Sequence, residues 1–546
     1  MRSTFMGLEA SKRGLFTQQS ALYTTGHNIS NANTLGYSRQ RVNFETTQGY
    51  PGTGLNAPKT PGHIGTGVQA SSVQRIRDEF IDRQYRQETN KLGYWEAKSQ
   101  SISQMEDIMS EPSEFGINQA FNDFWKSLQD ISTNPSDVAA RKVALAKAQS
   151  LAQSFNYNDT QLKTIQGNIG NEIDVSTDQI NSILKQIAEI NKQIQAVEPN
   201  GYMPNDLYDA RDMLVDQLNE YMPVSVSFEK SGGNALDIAE GSMTVKFKPF
   251  GGTDADAITL VQGKDYATLK TLDTTGTKVD GNIDNPNTSQ VYNAFGKISV
   301  TGMGNIPNGE MEYGDFEASK GKLLSLINSY GYTQTDVNGN TVTKGHYPEM
   351  IANLDKLVNA FVQSFNAVHN AGYSSNSDST LTSGDGGDFF DATGLTAGTI
   401  KVAITDPSKI AASSGTGEEG NGKWAIELAN LQFLGIKDGA GVSIGNITAT
   451  LPNGLNLEGA TFQSFYEGLI GQLGVDGKEA VRLEYNSATI LLTVENNRSS
   501  MSSVSLDEEM TNMITFQQAY NANARMITVV DEILDKIING MGRAGL

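Results

Sequence analysis

The sequence predicts a multi-domain α plus β chain: paired N- and C-terminal coiled-coil-like helices, a helical-bundle domain, and inserted β-rich domains. Three observations lead there. The chain has 546 residues, too many for one hydrophobic core. Two internal stretches, 223–345 and 371–480, hold 37 of its 55 glycines. In the glycine-poor remainder, apolar residues recur every seven positions, the period of helices packed along a seam.

The first repeat is Leu8, Leu15, Leu22 and Ile29. It predicts a terminal helix with a narrow apolar stripe. The strip HNISNANTLGYSRQ, residues 27–40, follows it. Asn28, Asn31 and Asn33 offer neutral donors and acceptors that can be buried without desolvating an ion. Gly36 permits the positive φ that ends a helix, and the amphipathic Tyr37 suits an interface. The strip therefore reads as a surface buried against other copies of the chain, with a plain helix cap and loop as the alternative. Further helices are predicted over 78–109, 115–131, 138–155 and 205–221. From Ile173 a second repeat runs through Ile180, Ile187 and Ile194, with Ile183, Ile190 and Val197 between. It predicts a helix wrapped on another, ended by Pro199-Asn200-Gly201.

After Pro223 the segments VSVSF, MTVKF and ITLV alternate as strands do. Helix returns over the glycine-free 347–370, a second β-rich stretch follows, and helix is predicted again over 462–473 and 502–541. The last segment carries a third repeat: Leu506, Met513, Tyr520, Ile527, Leu534 and Met541. Residues 1–45 carry a net charge of +3 and residues 505–546 a net −3, so charge as well as period favours pairing of the two ends. Four domains result: 1–45 with 505–546 as a terminal helical inner core; 46–222 with 346–370 and 481–504 as a long-helix domain; and β-rich insertions at 223–345 and 371–480. The terminal stripes are thin, with Gln18, Thr25, Gln517 and Asp531 at positions a full seam would make apolar. The terminal domain is therefore expected to be disordered in the free chain and ordered by neighbours.

Composition narrows the function. A net charge of −21 argues against nucleic-acid binding, which needs a basic surface. There is no cysteine, so stability comes from packing rather than disulfides. No stretch approaches the ~20 apolar residues of a membrane span, so membrane insertion is not expected. The first residues lack the apolar run of a cleavable signal peptide. His27, His63, His346 and His369 show no metal-ligand spacing. GTGEEG at 415–420 matches G-x-G-x-x-G without a preceding strand, and GEEGNGKW at 417–424 places Trp424 where a P-loop needs Ser or Thr. DVNGNTVTKGHY from Asp336 departs from a calcium loop after five residues, and Asn338-Gly339 reads better as a hairpin turn. No catalytic, cofactor or metal site is expected.

SNANTLGYSRQ near the start and SLDEEMTNMITFQQAYNANARMITVVDEILDKIIN near the end together resemble the axial protein family of the bacterial flagellum, its rod, hook and hook-associated proteins. GYSRQ, the Leu-Asp-Glu-Glu-Met run and the length point within that family to the hook–filament junction. The resemblance implies a structural, non-enzymatic subunit, exported through the flagellar type III apparatus without a cleaved signal and acting outside the cell. Its β-rich domains would face outward. It implies self-association in a ring at the hook tip, with the hook protein on one side and the second hook-associated protein on the other. A cytoplasmic export chaperone would hold the C-terminal helix. Leu8, Leu15, Leu22, Asn28, Ile29, Asn31, Asn33, Gly36, Tyr37, Leu506, Met513, Tyr520, Ile527 and Leu534 would form the assembly interface. Two other readings stay open: a hook or rod component of the same family, and a secreted carbohydrate-binding or adhesive protein acting through its β-domains.

Overall fold

The structure is a computed structural model. It describes residues 5–540 apart from 52–61, 63, 110–115, 250–252, 254–255, 282–291, 317–318, 336–340, 376–383, 417, 419, 438–440, 445–446, 453 and 456. His63, Met541 and the Asn338-Gly339 turn fall outside the described residues.

The chain opens with α1 (Phe5–Asn31) and an antiparallel hairpin, β1 (Gln40–Thr46) and β2 (Val68–Arg75). Four helices follow: α2 (Glu79–Met109), α3 (Ile117–Thr133), α4 (Val138–Val197) and α5 (Asn205–Tyr221). The sequence broke α4 in two, yet it is one helix of 60 residues. Its middle keeps the core residues Leu162 and Ile169, and small or polar positions around them let other parts of the chain approach closely. The Gln166 amide donates to the Tyr330 carbonyl at 2.7 Å, and a Cβ on Gly170 would meet the Gly281 Cα at 3.0 Å.

The first inserted domain holds two sheets. β3 (Ser225–Glu229), β4 (Ser242–Phe247), β5 (Ile258–Gln262) and β6 (Asp265–Tyr266) pair in sequence order. β7 (Thr268–Asp273), β8 (Phe295–Thr301) and β9 (Gly309–Glu312) belong to the second sheet, as do β10 (Tyr332–Thr335) and β11 (Thr341–Lys344), which follow the helices α6 (Tyr313–Phe316) and α7 (Lys322–Tyr330). Its order is β11-β10-β8-β7, with β9 also on β8.

This domain decides what covers the isoleucine repeat. Ile173, Ile180, Ile187 and Ile194 are all fully buried, but against α5 and the strands as well as α7, not along one partner helix. Two asparagines of α4 dock the sheets by copying a strand's hydrogen bonding. Asn181 accepts from the Leu269 N–H at 2.7 Å and donates to its carbonyl at 2.9 Å. Asn191 does the same to Met243 at 3.0 and 2.8 Å.

After α8 (His346–Ala371), the second insertion departs from expectation. Its described secondary structure is the helix α9 (Lys423–Asn430), short 3₁₀ turns, isolated bridges and the small hairpin β12 (Gly441–Ile444) and β13 (Ile447–Thr450). The rest is turns, and glycine there marks loops rather than strands. The insertion also shares the main core. Phe389 lies edge-to-face on Phe365 at 5.0 Å, while Phe361 makes the same contact with Phe121 at 5.2 Å and Phe390 packs on both Phe361 and Phe365. Trp424 is buried with its indole N–H on the Val368 carbonyl, which makes it a core anchor and accounts for its place in the failed P-loop match.

The chain closes with α10 (Phe462–Ser502) and α11 (Leu506–Asp535), then a π-helical turn at Lys536–Gly540. The boundary expected at residue 480 falls inside α10. The helix expected over 462–473 runs on to Ser502, and Gly477 is a packing position within it: a Cβ there would meet Ile102 of α2 at 3.1 Å. Helix α10 lies along α2 in the most extensive helix pairing of the described residues.

Candidate assembly site

Helices α1 and α11 pair antiparallel, with Gly7 beside Val530, Gly14 beside Asn523 and Asn28 beside Glu509. The centre of the contact is not the leucine repeat. The buried residues of α1 are Gly14, Thr17, Ala21, Thr25 and Asn28, a stripe of small and polar side chains. At Gly14 a Cβ would meet the Asn523 side chain at 2.9 Å. Leu8, Leu15, Leu22 and Ile29 are half-buried along one flank of that stripe. On α11, Met513, Tyr520, Ile527 and Leu534 are half-buried, and Leu506 is exposed. The reading of large apolar residues as the pair's own seam is therefore corrected: small residues let the backbones approach, and the larger ones line the sides. Gly7, Gly14, Ala21 and Asn28 also stand seven apart, and that period was the available signal.

The hairpin closes the other edge of that stripe. Thr17 Oγ1 donates to the Val68 carbonyl at 3.2 Å, and Gly67, at φ +116°, lies against the Ala10 backbone. Phe44 of β1 meets Phe516 of α11 edge-to-face at 6.0 Å.

Asn28 is the most specific residue of the strip. It is 1% exposed, and both ends of its amide are doubly used. Its Nδ2 donates to the Gln40 carbonyl at 2.8 Å and to Glu509 at 3.0 Å. Its Oδ1 accepts from the Tyr37 hydroxyl at 2.8 Å and from the Gln40 N–H at 3.0 Å. All four bonds are made within the chain, so Asn28 fastens the loop to both terminal helices. Burial, and then Asp206, Asp209 and Glu509, push the Tyr37 hydroxyl pKa up, which keeps it a neutral donor. Asn31 bonds back to the His27 carbonyl, and Asn33 is exposed. Helix α1 ends at Asn31. Gly36 does adopt a positive φ, +79°, but it turns the loop beyond the helix rather than capping it.

The charges in this region include residues the sequence reading passed over. Arg39 binds Glu508 at 2.7 Å and Glu509 at 2.8 Å, which gives the opposite charges of the two ends a definite contact. Below the hairpin lies a buried network. Arg75 pairs with Asp209 at 2.6 Å and Asp212 at 2.9 Å, and with Glu240. Arg77 pairs with Asp82 and Asp212, Arg86 with Asp216, and Arg498 with Asp82 and Asp216. Burial alone would raise the Asp212 pKa, but the guanidiniums of Arg77, Arg75 and Arg86 outweigh it and hold it at about 2. Such a network fixes geometry more than it adds stability, because each ion must be desolvated. Apart from Arg77 and Asp82, these partners are far apart in sequence, and no local pattern pairs them.

His369 is fully buried and His346 half-buried, and desolvation pushes both pKa values down to about 4. Among the described residues no group of three or more His, Asp or Glu is placed to hold a metal, and no helix is long and apolar enough to cross a membrane.

Comparison with known proteins decides the family. The chain is 41% identical to flagellar hook-associated protein 1 of Bacillus subtilis (strain 168) over 555 residues, spanning all of both chains. It belongs to the flagellar hook-associated protein 1 family. It is also 27% identical to the Escherichia coli (strain K12) member, over 96% of this chain and 98% of that one. Residues 102–390 match the flagellar hook-associated protein FlgK helical domain. That span ends on Phe390, one of the aromatics set into the core. Residues 495–540 match the flagellar basal body rod FlgEFG protein C-terminal region, which covers the end of α10 and all of α11. The flagellar hook junction protein FlgK from Burkholderia pseudomallei has a solved structure that aligns with a TM-score of 0.56 at 14% identity, over 78% of this chain and 100% of that one. At that identity it supports the α plus β fold alone. The family is one of structural components of the flagellum.

Proposed function

We propose that the chain is the subunit of the hook–filament junction, exported by the flagellar type III apparatus and assembled as a ring at the hook tip. The observation that carries this reading is the outer surface of the α1–α11 pair. Phe16 is 56% and Tyr23 77% exposed on α1, and Met510, Ile514, Met526 and Ile533 are about half exposed on α11. Large apolar side chains on both helices of a thin pair mark an interaction surface. Neighbouring copies would cover them, and the half-buried Leu8, Leu15, Leu22, Ile29, Met513, Tyr520, Ile527 and Leu534 would become the seam between copies. The exposed Asn33, Gly36 and Leu506 would meet the neighbours too. The hook protein and the second hook-associated protein would bind the two ends of the ring, and an export chaperone would cover α11 before export.

Replacing Ile514 by Asp places a charge on this surface. It is solvated in the free chain and buried without a partner in the assembly, at a cost of several kcal/mol per copy. The expected result is a variant with the parent melting temperature that is secreted but leaves hooks without filaments, counted by electron microscopy. Normal filaments on cells carrying Ile514→Asp would overturn the assignment of this surface.

A further inference from the structure

A cleft of about 660 Å³ opens in the helical body, between the end of α2 and the first half of α4, with Tyr466 of α10 in its wall. That is within the size range of small-ligand clefts. Every described residue lining it belongs to α2, α4, α10 or the turn before α3, so its walls do not depend on the terminal helices. On α4 the lining positions recur every three or four residues from Ser150 to Ile165, so one face of that helix is turned to the cleft. The opposite face is core, with Leu151, Phe155 and Leu162 fully buried.

The face turned to the cleft carries polar groups that the chain does not use. Gln104 of α2 and Asn158 and Gln161 of α4 line the cleft, and none of their amides bonds to another side chain or to the backbone among the described residues. Asn158 is only 7% exposed. Other buried asparagines of the body spend their amides within the chain. Asn191 bonds to both backbone groups of Met243, and Asn366 accepts from the Phe389 and Phe390 N–H groups and donates to the Phe390 carbonyl. A buried amide without such partners is costly, and at Asn158 the cleft is where a partner can enter.

The chemistry of the walls selects that partner. Each carboxamide presents a donor and an acceptor, and Asp107 adds a carboxylate that accepts from hydroxyls. Tyr157, 63% exposed, offers a ring face at the rim. No lysine or arginine is among the described lining residues, so a phosphate would meet no cation there and would face Asp107. A ligand dense in hydroxyls with apolar C–H faces satisfies the amides, the carboxylate and the ring together. We propose that this cleft binds a neutral saccharide, with the carboxamides and Asp107 on its hydroxyls and Tyr157 against one ring face.

The chain has no cysteine, so the full protein can carry one dye at a cysteine added after Leu546. The labelled protein is titrated on an array of neutral, sialylated and sulfated glycans. Retention on neutral glycans is expected. Tyr157→Ala should weaken it about tenfold and Tyr157→Phe should preserve it. Gln161→Ala should weaken it about fivefold. Asn158→Leu should abolish it with a melting temperature at or above that of the parent, because its amide has no partner in the chain to lose. The proposal is overturned if the parent retains no glycan, or prefers sialylated or sulfated ones. It is overturned equally if Tyr157→Ala and Asn158→Leu bind as the parent does, or if Asn158→Leu lowers the melting temperature, since that amide would then serve the fold.

Discussion

Two seven-residue repeats in this chain have the same spacing and opposite fates. Ile173, Ile180, Ile187 and Ile194 are fully buried, while Leu8, Leu15, Leu22 and Ile29 are only half-buried. The isoleucines are covered from several directions, by α5, α7 and two sheets. The leucines flank a stripe of Gly14, Thr17, Ala21 and Thr25, and among the described residues α11 and one hairpin make the extensive contacts with that helix. Period fixes which residues share a face of a helix. How completely that face is buried depends on how many other elements reach it, and in the terminal pair too few do within one chain.

The largest expected effect tests this contrast directly. Ile180→Asp buries an unpaired carboxylate and should cost more than about 4 kcal/mol, enough to abolish the cooperative unfolding transition of the body. Leu22→Asp should change body stability by less than about 1 kcal/mol while abolishing filament attachment. Urea unfolding followed by tryptophan fluorescence measures the first quantity, since Trp95, Trp125 and Trp424 all lie outside the terminal pair. Similar losses for the two variants would break the comparison.

Acid should weaken the body next. The buried His369 accepts from the Ala411 N–H through Nε2 at 3.0 Å and makes a 2.8 Å bond from Nδ1 to the Gly387 carbonyl, so the neutral ring ties two loops to α8. Its pKa is pushed by burial from 6.5 to about 4. Between those values the unfolded chain binds the proton and the folded chain does not, so stability falls as pH drops from about 6.5 to 4. The contribution is on the order of a few kcal/mol. A second loss follows as pH falls from 3.8 towards 2, because Asp212, held at about 2, is then protonated out of its arginine network. An unfolding free energy that stays level between pH 7 and 4.5 would show that His369 is not coupled to folding.

The smallest effect sharpens the account of the pair. Gly14→Ala gains about 1 kcal/mol of helix propensity but presses on the Asn523 side chain, whose atoms lie 2.9–3.0 Å from the new Cβ. Asn523 can rotate away, so the two terms should nearly cancel. Gly14→Leu has no such escape and should part the helices, read as faster amide exchange over 510–527 with the body unchanged. Equal exchange in both variants would mean that the small stripe does not set the spacing of the pair.

The second insertion can be judged on the same footing. On texture, residues 371–480 looked detachable. Phe389, Phe390, Trp424 and Phe462 instead sit in the core with Phe124, Phe361 and Phe365, and residue 480 is the middle of a helix. Removing that stretch would open the body rather than trim its edge.

By itself the sequence determined the long helices and most of their boundaries, the strands after Pro223, the meeting of the two ends and the family likeness. These rest on local rules: backbone preference, apolar period, turn chemistry and the sign of charge in a segment. The tertiary structure decided that α4 is continuous and that glycine at 477 packs a helix instead of ending it. It also decided that Asn28 spends its hydrogen bonds within the chain, and that Arg39, Arg75, Asp212 and Glu509 form the joints. Each of those outcomes depends on groups brought together from up to 481 positions apart, as Asn28 and Glu509 are. A local rule carries no information about a partner that only folding supplies, and a buried polar residue takes its meaning from that partner.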